Sequence, residues 1–336
     1  MLPVSSVRCV TSSLAWAALM VLAPPSLAQA ASFSHKNWEL ACDNTGTCRA
    51  AGYQDEGGDS EPVSMLITRT AGPGEVPEVR LQVQSDQGYQ GPLSLTVGAL
   101  RLQGLPDDAG KPLPDRRVRE LLPALLNADE ATVRAGAAQW TLSLAGLKAV
   151  LLKMDEAQGR LNTPGALVRR GGKPESGVRV PAPPPEIKAV RPLPARAGDA
   201  ALRMSIFKLI PKQDLERCND PDPGVAVVHR LNDREVLLAL PCGMGAYNAS
   251  SLLWQASDKP PHAPRMLDAD GDFDPVTGEV HSAMKVRGLG DCWSVRTWQL
   301  SRHGFALTSE TYDGLCRGFA GGAWQLPRHV TKVTGP

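Results

Sequence analysis

The chain has 336 residues and a formal charge of +1, from 36 basic and 35 acidic side chains, so no whole-chain field recruits nucleic acid or an anionic membrane surface. At 42% hydrophobic content there is material for a sizeable core, and the length favours two domains over one. The 32 glycines and 29 prolines suit a turn-rich β architecture rather than a helical bundle.

Residues 1–30 read as a secretory signal peptide: Arg8, an apolar run over 9–23, Pro24-Pro25, and an Ala28-Gln29-Ala30 cleavage site. The apolar run is too short to span a membrane. Cleavage after Ala30 removes Cys9 and leaves six cysteines, Cys42, Cys48, Cys218, Cys242, Cys292 and Cys316. In an exported protein an even set of this kind favours disulfides. Six cysteines allow 15 pairings, and the spacing here favours nearest neighbours: Cys42 with Cys48, Cys218 with Cys242, and Cys292 with Cys316. There is no C-x-x-C and no histidine at ligand spacing, which argues against zinc and against a thioredoxin-like redox site.

The first domain is expected over 31–170. Short strand patterns fall at 38–42, 47–53, 63–69, 79–84, 93–97 and 99–103, separated by turn residues, and read as antiparallel sheet. Asp43-Asn44-Thr45-Gly46 makes a tight turn, so the first disulfide would clip the base of a hairpin. A helix is predicted over 115–127, with Val118, Leu121, Leu122 and Leu125 on one face and the Arg116, Arg117, Arg119 cluster on the solvated one. A strand at 139–142 leads into a second helix ending near Arg160, its buried face formed by Leu144, Leu147, Leu151 and Met154. Ser143 is placed to cap its start and Gly159 to end it in a left-handed turn.

Residues 171–199 carry seven prolines and few large apolar side chains, which reads as an extended, semi-rigid linker. The second domain, 200–336, opens with a helix over 201–215. Strand patterns follow at 225–231, 235–240, 246–255, 279–285, 292–300 and 305–311. Trp254, Trp293, Trp298 and Trp324 all fall in this half, where strand tryptophans more often fill a core than stack on a ligand. The fold class is therefore α+β and β-rich: two antiparallel-sheet domains, the first with two packed helices, joined by a Pro-rich linker.

Motifs that carry chemistry are sparse. A G-x-S-x-G elbow, an H-E-x-x-H helix and a P-loop are all absent. Gly243-Met244-Gly245 and Gly288-Leu289-Gly290 read as turn glycines, and Ser205-Ile206-Phe207-Lys208 matches S-x-x-K without its companion motifs. Asp268, Asp270, Asp272 and Glu279 stand at the spacing of a calcium loop, but Phe273 occupies the position where the sharp turn needs glycine and Pro275 is rigid. A polar hairpin with solvated aspartates is the ordinary alternative. The helix exit Asp155, Glu156, Gln158 and Arg160 is a candidate docking surface where the two domains meet, and Asp155, Glu156 and Asp291 are the acids a hydrolase would draw on.

The pieces Trp38-Glu39-Leu40-Ala41-Cys42-Asp43-Asn44, Cys48, Arg49, Gly52, Tyr53, Arg69 and Gly72-Pro73 occur in order with two later ones. These are the run from Ser143-Leu144-Ala145-Gly146 to Gln158-Gly159-Arg160, and Gly288-Leu289-Gly290-Asp291-Cys292. In these pieces the mature chain resembles the exported bacterial family known as domain of unknown function 1176. Val286 and Trp293 depart from the glycines of the last motif. The first half is also loosely similar to the invasion-associated locus B family. Both resemblances imply a Gram-negative periplasm and a β-rich fold, and neither brings catalytic residues.

The functional expectation is a periplasmic, non-enzymatic module that binds an envelope protein or cell-wall component, with no stable membrane span after signal cleavage. The alternatives are a hydrolase with an inter-domain site and a calcium-binding envelope protein. No cofactor is expected apart from calcium at the aspartate run.

Overall fold

A computed structural model describes residues 31–106, 108–243 and 248–335; the expected signal peptide, and Met244 and Gly245 of one glycine pair, lie outside the described residues. Strands hold 39% of the chain and helices 13%, an α+β fold in which several antiparallel sheets dominate.

β1 (Ala31–His35), β2 (Trp38–Cys42), β3 (Cys48–Tyr53), β4 (Val63–Arg69) and β5 (Glu78–Val83) form a five-stranded antiparallel meander in chain order. Cys42 lies opposite Cys48 in the β2–β3 register, so the disulfide between them closes the base of the hairpin. The turn is held by Asp43, whose carboxylate accepts from the backbone N–H of Thr45 and from the Arg49 guanidinium. A second sheet contains β6 (Leu93–Val97), β7 (Leu100–Leu105), β8 (Glu130–Ala135) and β9 (Ala138–Ser143) in the order β7-β6-β8-β9. Helix α1 (Asp115–Leu125) carries the chain across that sheet, and α2 (Leu147–Ala157) follows β9. The inward faces of both sheets and both helices share one core, built around Trp38, Met65, Leu95, Leu121, Trp140 and Leu151.

The start of α2 differs from expectation. Ser143 ends β9 instead of capping the helix, and its hydroxyl accepts from Asn37 Nδ2 at 2.9 Å. Gly146, at φ 105°, stands at the N-cap without a side-chain bond, so Leu144 packs in the core ahead of the helix. The exit does turn left-handed at Gly159, with φ 72°.

The Pro-rich segment 171–199 runs along the molecule with repeated backbone anchors. Arg179 N donates to Gln158 O, Ala182 N donates to Thr45 O, and β10 (Glu186–Lys188) pairs in parallel with β20 (Lys332–Thr334) near the C-terminus. The helix expected over 201–215 divides at Pro211 into α3 (Asp199–Phe207) and α4 (Lys212–Leu215), because proline has no N–H to continue the ladder.

In the C-terminal half, β11 (Val227–Arg230), β12 (Glu235–Gly243), β13 (Ala249–Ser257) and β14 (Arg265–Asp270) make a four-stranded antiparallel sheet. One face packs on α3 and α4 through Ile206, Ile210, Leu238 and Trp254, and the Cys218–Cys242 disulfide is part of that core. The other face packs through Leu237 and Leu253 on Val280, Trp298 and Leu300. Those three belong to a five-stranded sheet of β15 (Asp272–Phe273), β16 (Glu279–Lys285), β17 (Trp293–Ser301), β18 (Gly304–Tyr312) and β19 (Leu326–Val330).

A third apolar cluster joins the two halves. Ala41, Ala51, Tyr53 and Leu66 point away from the N-terminal core, yet they are buried because Phe319, Ala323, Trp324 and Leu326 cover them. The segment between β18 and β19 is therefore a strap lying across the outer face of the first sheet. This explains why β2 is buried along its whole length, where an antiparallel strand with one wet face would alternate.

Candidate functional site

The strap is fixed to the first sheet by polar contacts at each end. Glu39, on the outer face of β2, is only 4% exposed, and its Oε1 accepts from the Tyr53 hydroxyl at 2.9 Å and from Leu315 N at 2.6 Å. Burial pushes the Glu39 carboxyl up against these two bonds, and pushes both Tyr53 and Tyr312 up in turn. Gly314 makes the approach possible: it sits at φ 88°, and a Cβ there would lie 2.0 Å from the Tyr53 hydroxyl oxygen. Further along, Gln54 Nε2 donates to Arg317 O at 2.7 Å, Gln82 Nε2 to Ala323 O at 2.7 Å, and Trp324 Nε1 to Ser64 Oγ at 2.6 Å. The Cys292–Cys316 disulfide ties the strap back to the start of β17.

Between the strap and β17 lies a depression of about 480 Å³ lined by Trp293, Val295, Asp313, Gly322, Trp324 and Gln325, among others. Asp313 is 9% exposed, and its carboxylate has no hydrogen bond or ion pair among the described residues; only its backbone N–H is engaged, donating to Trp293 O at 2.9 Å. Burial alone pushes its pKa up to about 6. Gly322 packs on Asp313 so closely that a Cβ would lie 2.5 Å from the Asp313 Cβ, which keeps this wall thin. Both lining indoles turn their N–H groups away from the space, Trp324 to Ser64 and Trp293 to Gly290 O. The lining thus offers apolar and aromatic surface, one carboxylate, and the exposed Gln325 amide at the rim.

A second depression, of about 510 Å³, collects four acids, Asp55, Asp59, Asp129 and Glu130, between the β3–β4 connection and the β8–β9 hairpin. All four residues are exposed, and Asp55 accepts from Asn37 Nδ2. Solvated carboxylates of this kind lack the burial that sets an acid and a base apart in pKa.

The residues singled out from sequence are distributed differently. Asp155 and Arg160 are fully buried and Gln158 is 1% exposed, so these three are not a docking surface. Asp155 accepts from Leu167 N and Val168 N and lies 3.6 Å from Arg69 Nη1. Arg160 donates to the carbonyls of Thr70 and Gly72, and Gln158 donates to those of Gly46 and Arg69. All of these partners lie in the N-terminal half. The helix exit is an internal clamp that holds the loops between β2 and β3 and between β4 and β5 to the segment after α2; its amphipathic period could not show that the flanking loops fold over it. Desolvation raises the Asp155 carboxyl, opposed by its backbone donors and by Arg69. Glu156 alone is exposed, paired with Lys153 at 2.6 Å.

Asp291 is 1% exposed and held charged by Arg287, its pKa lowered by that hydrogen bond, with Gly318 N donating to the same carboxylate at 2.7 Å. It is a tie for the strap and has no free proton to transfer at neutral pH. Asp268 and Asp270 fall on β14, Asp272 on β15 and Glu279 on β16, so the calcium spacing is spread over three extended strands. Asp270 lies 3.5 Å from Arg296. Among the described residues the acids of this run form no cluster of three ligand atoms within 4.8 Å, and the one such set, Asp291, Cys292 and Cys316, includes two cysteines already bonded to each other. Strand pairing extends the segment that a coordinating loop would have to curl, and the four acids are not gathered in this geometry. Arg116 is exposed and Arg117 half-buried, engaged by Glu120 and by Gln103 O respectively. Ser205 and Lys208 are both exposed on and just after α3.

Asp313 was not distinguishable in the sequence. Tyr312-Asp313-Gly314 has the look of an ordinary turn, and its aromatic neighbours lie twenty residues before it and eleven after it.

The uncharacterized protein YpfG of Escherichia coli (strain K12) is 26% identical over 341 residues, spanning 90% of this chain and 94% of that one. The crystal structure of invasion associated protein b from Bartonella henselae is similar over 38% of this chain and 99% of that chain, with 14% identity and a TM-score of 0.29. Residues 32–331 match the family described as Protein of unknown function (DUF1176), and the chain belongs to that family.

Proposed function

We propose that the chain is an exported, non-enzymatic binding module of the Gram-negative envelope, and that the depression between Trp293 and Trp324 is where it takes its ligand. The observation that carries this reading is Asp313: its residue is 9% exposed, its carboxylate has no protein partner among the described residues, and it lines an aromatic-walled space open to solvent. Proton transfer chemistry needs two groups with divergent pKa values converging on one substrate, and Asp313 is the single ionisable side chain in this lining. An oxidising compartment is supported by the three disulfides and by the signal-like residues 1–30. No helix among the described residues is long and apolar enough to cross a membrane.

A hydrolase reading is favoured only by the four acids of the second depression, and their exposure weighs against it. Titrating fractions of a periplasmic extract while following tryptophan emission tests the binding reading. A fraction that shifts the emission of the parent protein and not of Trp293→Ala supports it; a response indifferent to Trp293→Ala and Asp313→Asn counts against it. Turnover of a cell-wall substrate that Asp129→Asn abolishes would establish the hydrolase instead.

A further inference from the structure

The walls of the Trp293–Trp324 depression are selective about chemistry. An anion is excluded, because the one charged side chain in the lining is itself anionic. A divalent metal needs several oxygen ligands and finds a single carboxylate. Both indole N–H groups are committed elsewhere, at 3.0 Å to Gly290 O and 2.6 Å to Ser64 Oγ, so the lining offers a polyhydroxylated ligand only the Gln325 amide as a side-chain donor at the rim. The one charge in the lining being anionic and its walls aromatic, the best complement is a group that donates hydrogen bonds, carries positive charge and tolerates aromatic faces.

On this basis, and resting on the binding reading above, we infer that the depression is a recognition site for an alkylammonium group, the ammonium meeting the Asp313 carboxylate and its apolar stem lying against Trp293, Val295 and Trp324. An ammonium over an indole gains electrostatic attraction from the ring quadrupole, more so when both are withdrawn from water. The molecule already contains one such contact: Lys285 Nζ, outside the lining, stands 5.1 Å from the centroid of the Trp293 ring. A ligand ammonium adds what the fold lacks, a counter-charge for a carboxylate that burial alone holds up near a pKa of 6. The volume of about 480 Å³ accommodates a four- or five-carbon chain with its head group. The same ammonium could be carried by a free amine or by a lysine side chain of an envelope polypeptide.

Calorimetric titration of the full mature chain at pH 8 with n-butylammonium, with Nα-acetyl-lysine methylamide and with n-butanol tests the inference. Butylammonium is expected to bind at least tenfold more tightly than butanol, and Asp313→Asn to erase that difference while keeping the parent's near-ultraviolet circular dichroism. Trp293→Ala should weaken butylammonium by a further independent route, about fivefold for loss of the aromatic wall. Preference for the lysine derivative identifies a peptide source, and equal affinity a free amine; both uphold the site. No binding of either amine at 50 mM, equal affinity for butanol, or amine binding unchanged by Asp313→Asn would overturn it. If the amines fail while a periplasmic fraction still gives a Trp293-dependent emission shift, the ammonium assignment falls and the binding reading stands. If both fail, both fall.

Discussion

Asp155 and Asp313 are both aspartates withdrawn from water, and the difference between them separates a structural bolt from a socket. Asp155 receives two backbone N–H groups and faces Arg69, and the guanidiniums of Arg69 and Arg160 complete a lattice around it. Asp313 receives nothing among the described residues and lines an open depression. Two buried acids of similar exposure thus have opposite meanings, and it is the set of donors around each, rather than burial, that tells them apart.

Removing Asp155 should have the largest effect. Asp155→Ala strands the buried Arg69 charge and two backbone donors, and denaturant unfolding is expected to register a loss of about 3–5 kcal/mol. A loss under about 1 kcal/mol would erase the distinction between bolt and socket. Opening the strap comes next. Replacing Cys292 and Cys316 together by serine releases a 24-residue separation and should cost about 2–4 kcal/mol, with a parallel loss of the Trp293–Trp324 depression as a binding surface.

Asp313→Asn should move stability the other way. A carboxyl whose folded pKa is raised holds its proton in the native state while the unfolded chain has lost it, so stability falls as pH rises from about 4 to about 6 and then levels off. The variant removes that decline: it should match the parent near pH 4 and exceed it by about 1–2 kcal/mol at pH 8, read from unfolding midpoints across the pH range. A parent curve that rises through this window would show that Asp313 has a partner in solution. Glu156→Ala closes the series with the smallest effect, under about 0.5 kcal/mol, because its pair with Lys153 is solvent-exposed.

Legibility in the sequence followed how local each feature is. The six strand patterns before the first helix and the three cysteine pairs are carried by short-range alternation and spacing, and each has its counterpart among β2 to β7 and the disulfides. β8 escaped because Glu130-Ala131-Thr132-Val133-Arg134-Ala135 has two alanines and no turn glycine before it, leaving its inward Ala131 and Val133 to be recognised only by pairing with β6 and β9. β10 and β20 are three residues each and exist only because their segments meet from opposite ends of the C-terminal half. The helix exit at Asp155-Glu156-Ala157-Gln158 reads as a solvated end by composition, and the loops that bury it come from residues more than eighty positions earlier.

By itself the sequence determined the β-rich class, the hairpin clipped by Cys42 and Cys48, the left-handed exit at Gly159 and the family, because alternation, spacing and glycine conformations act over a few residues. Only the tertiary structure decided that the 313–325 segment lies over the first sheet, that Glu39 is buried beneath it, and that Asp313 is left without a donor between two indoles. The physical reason is range: a carboxylate's meaning depends on which donors reach it, and those donors arrive from anywhere in the chain.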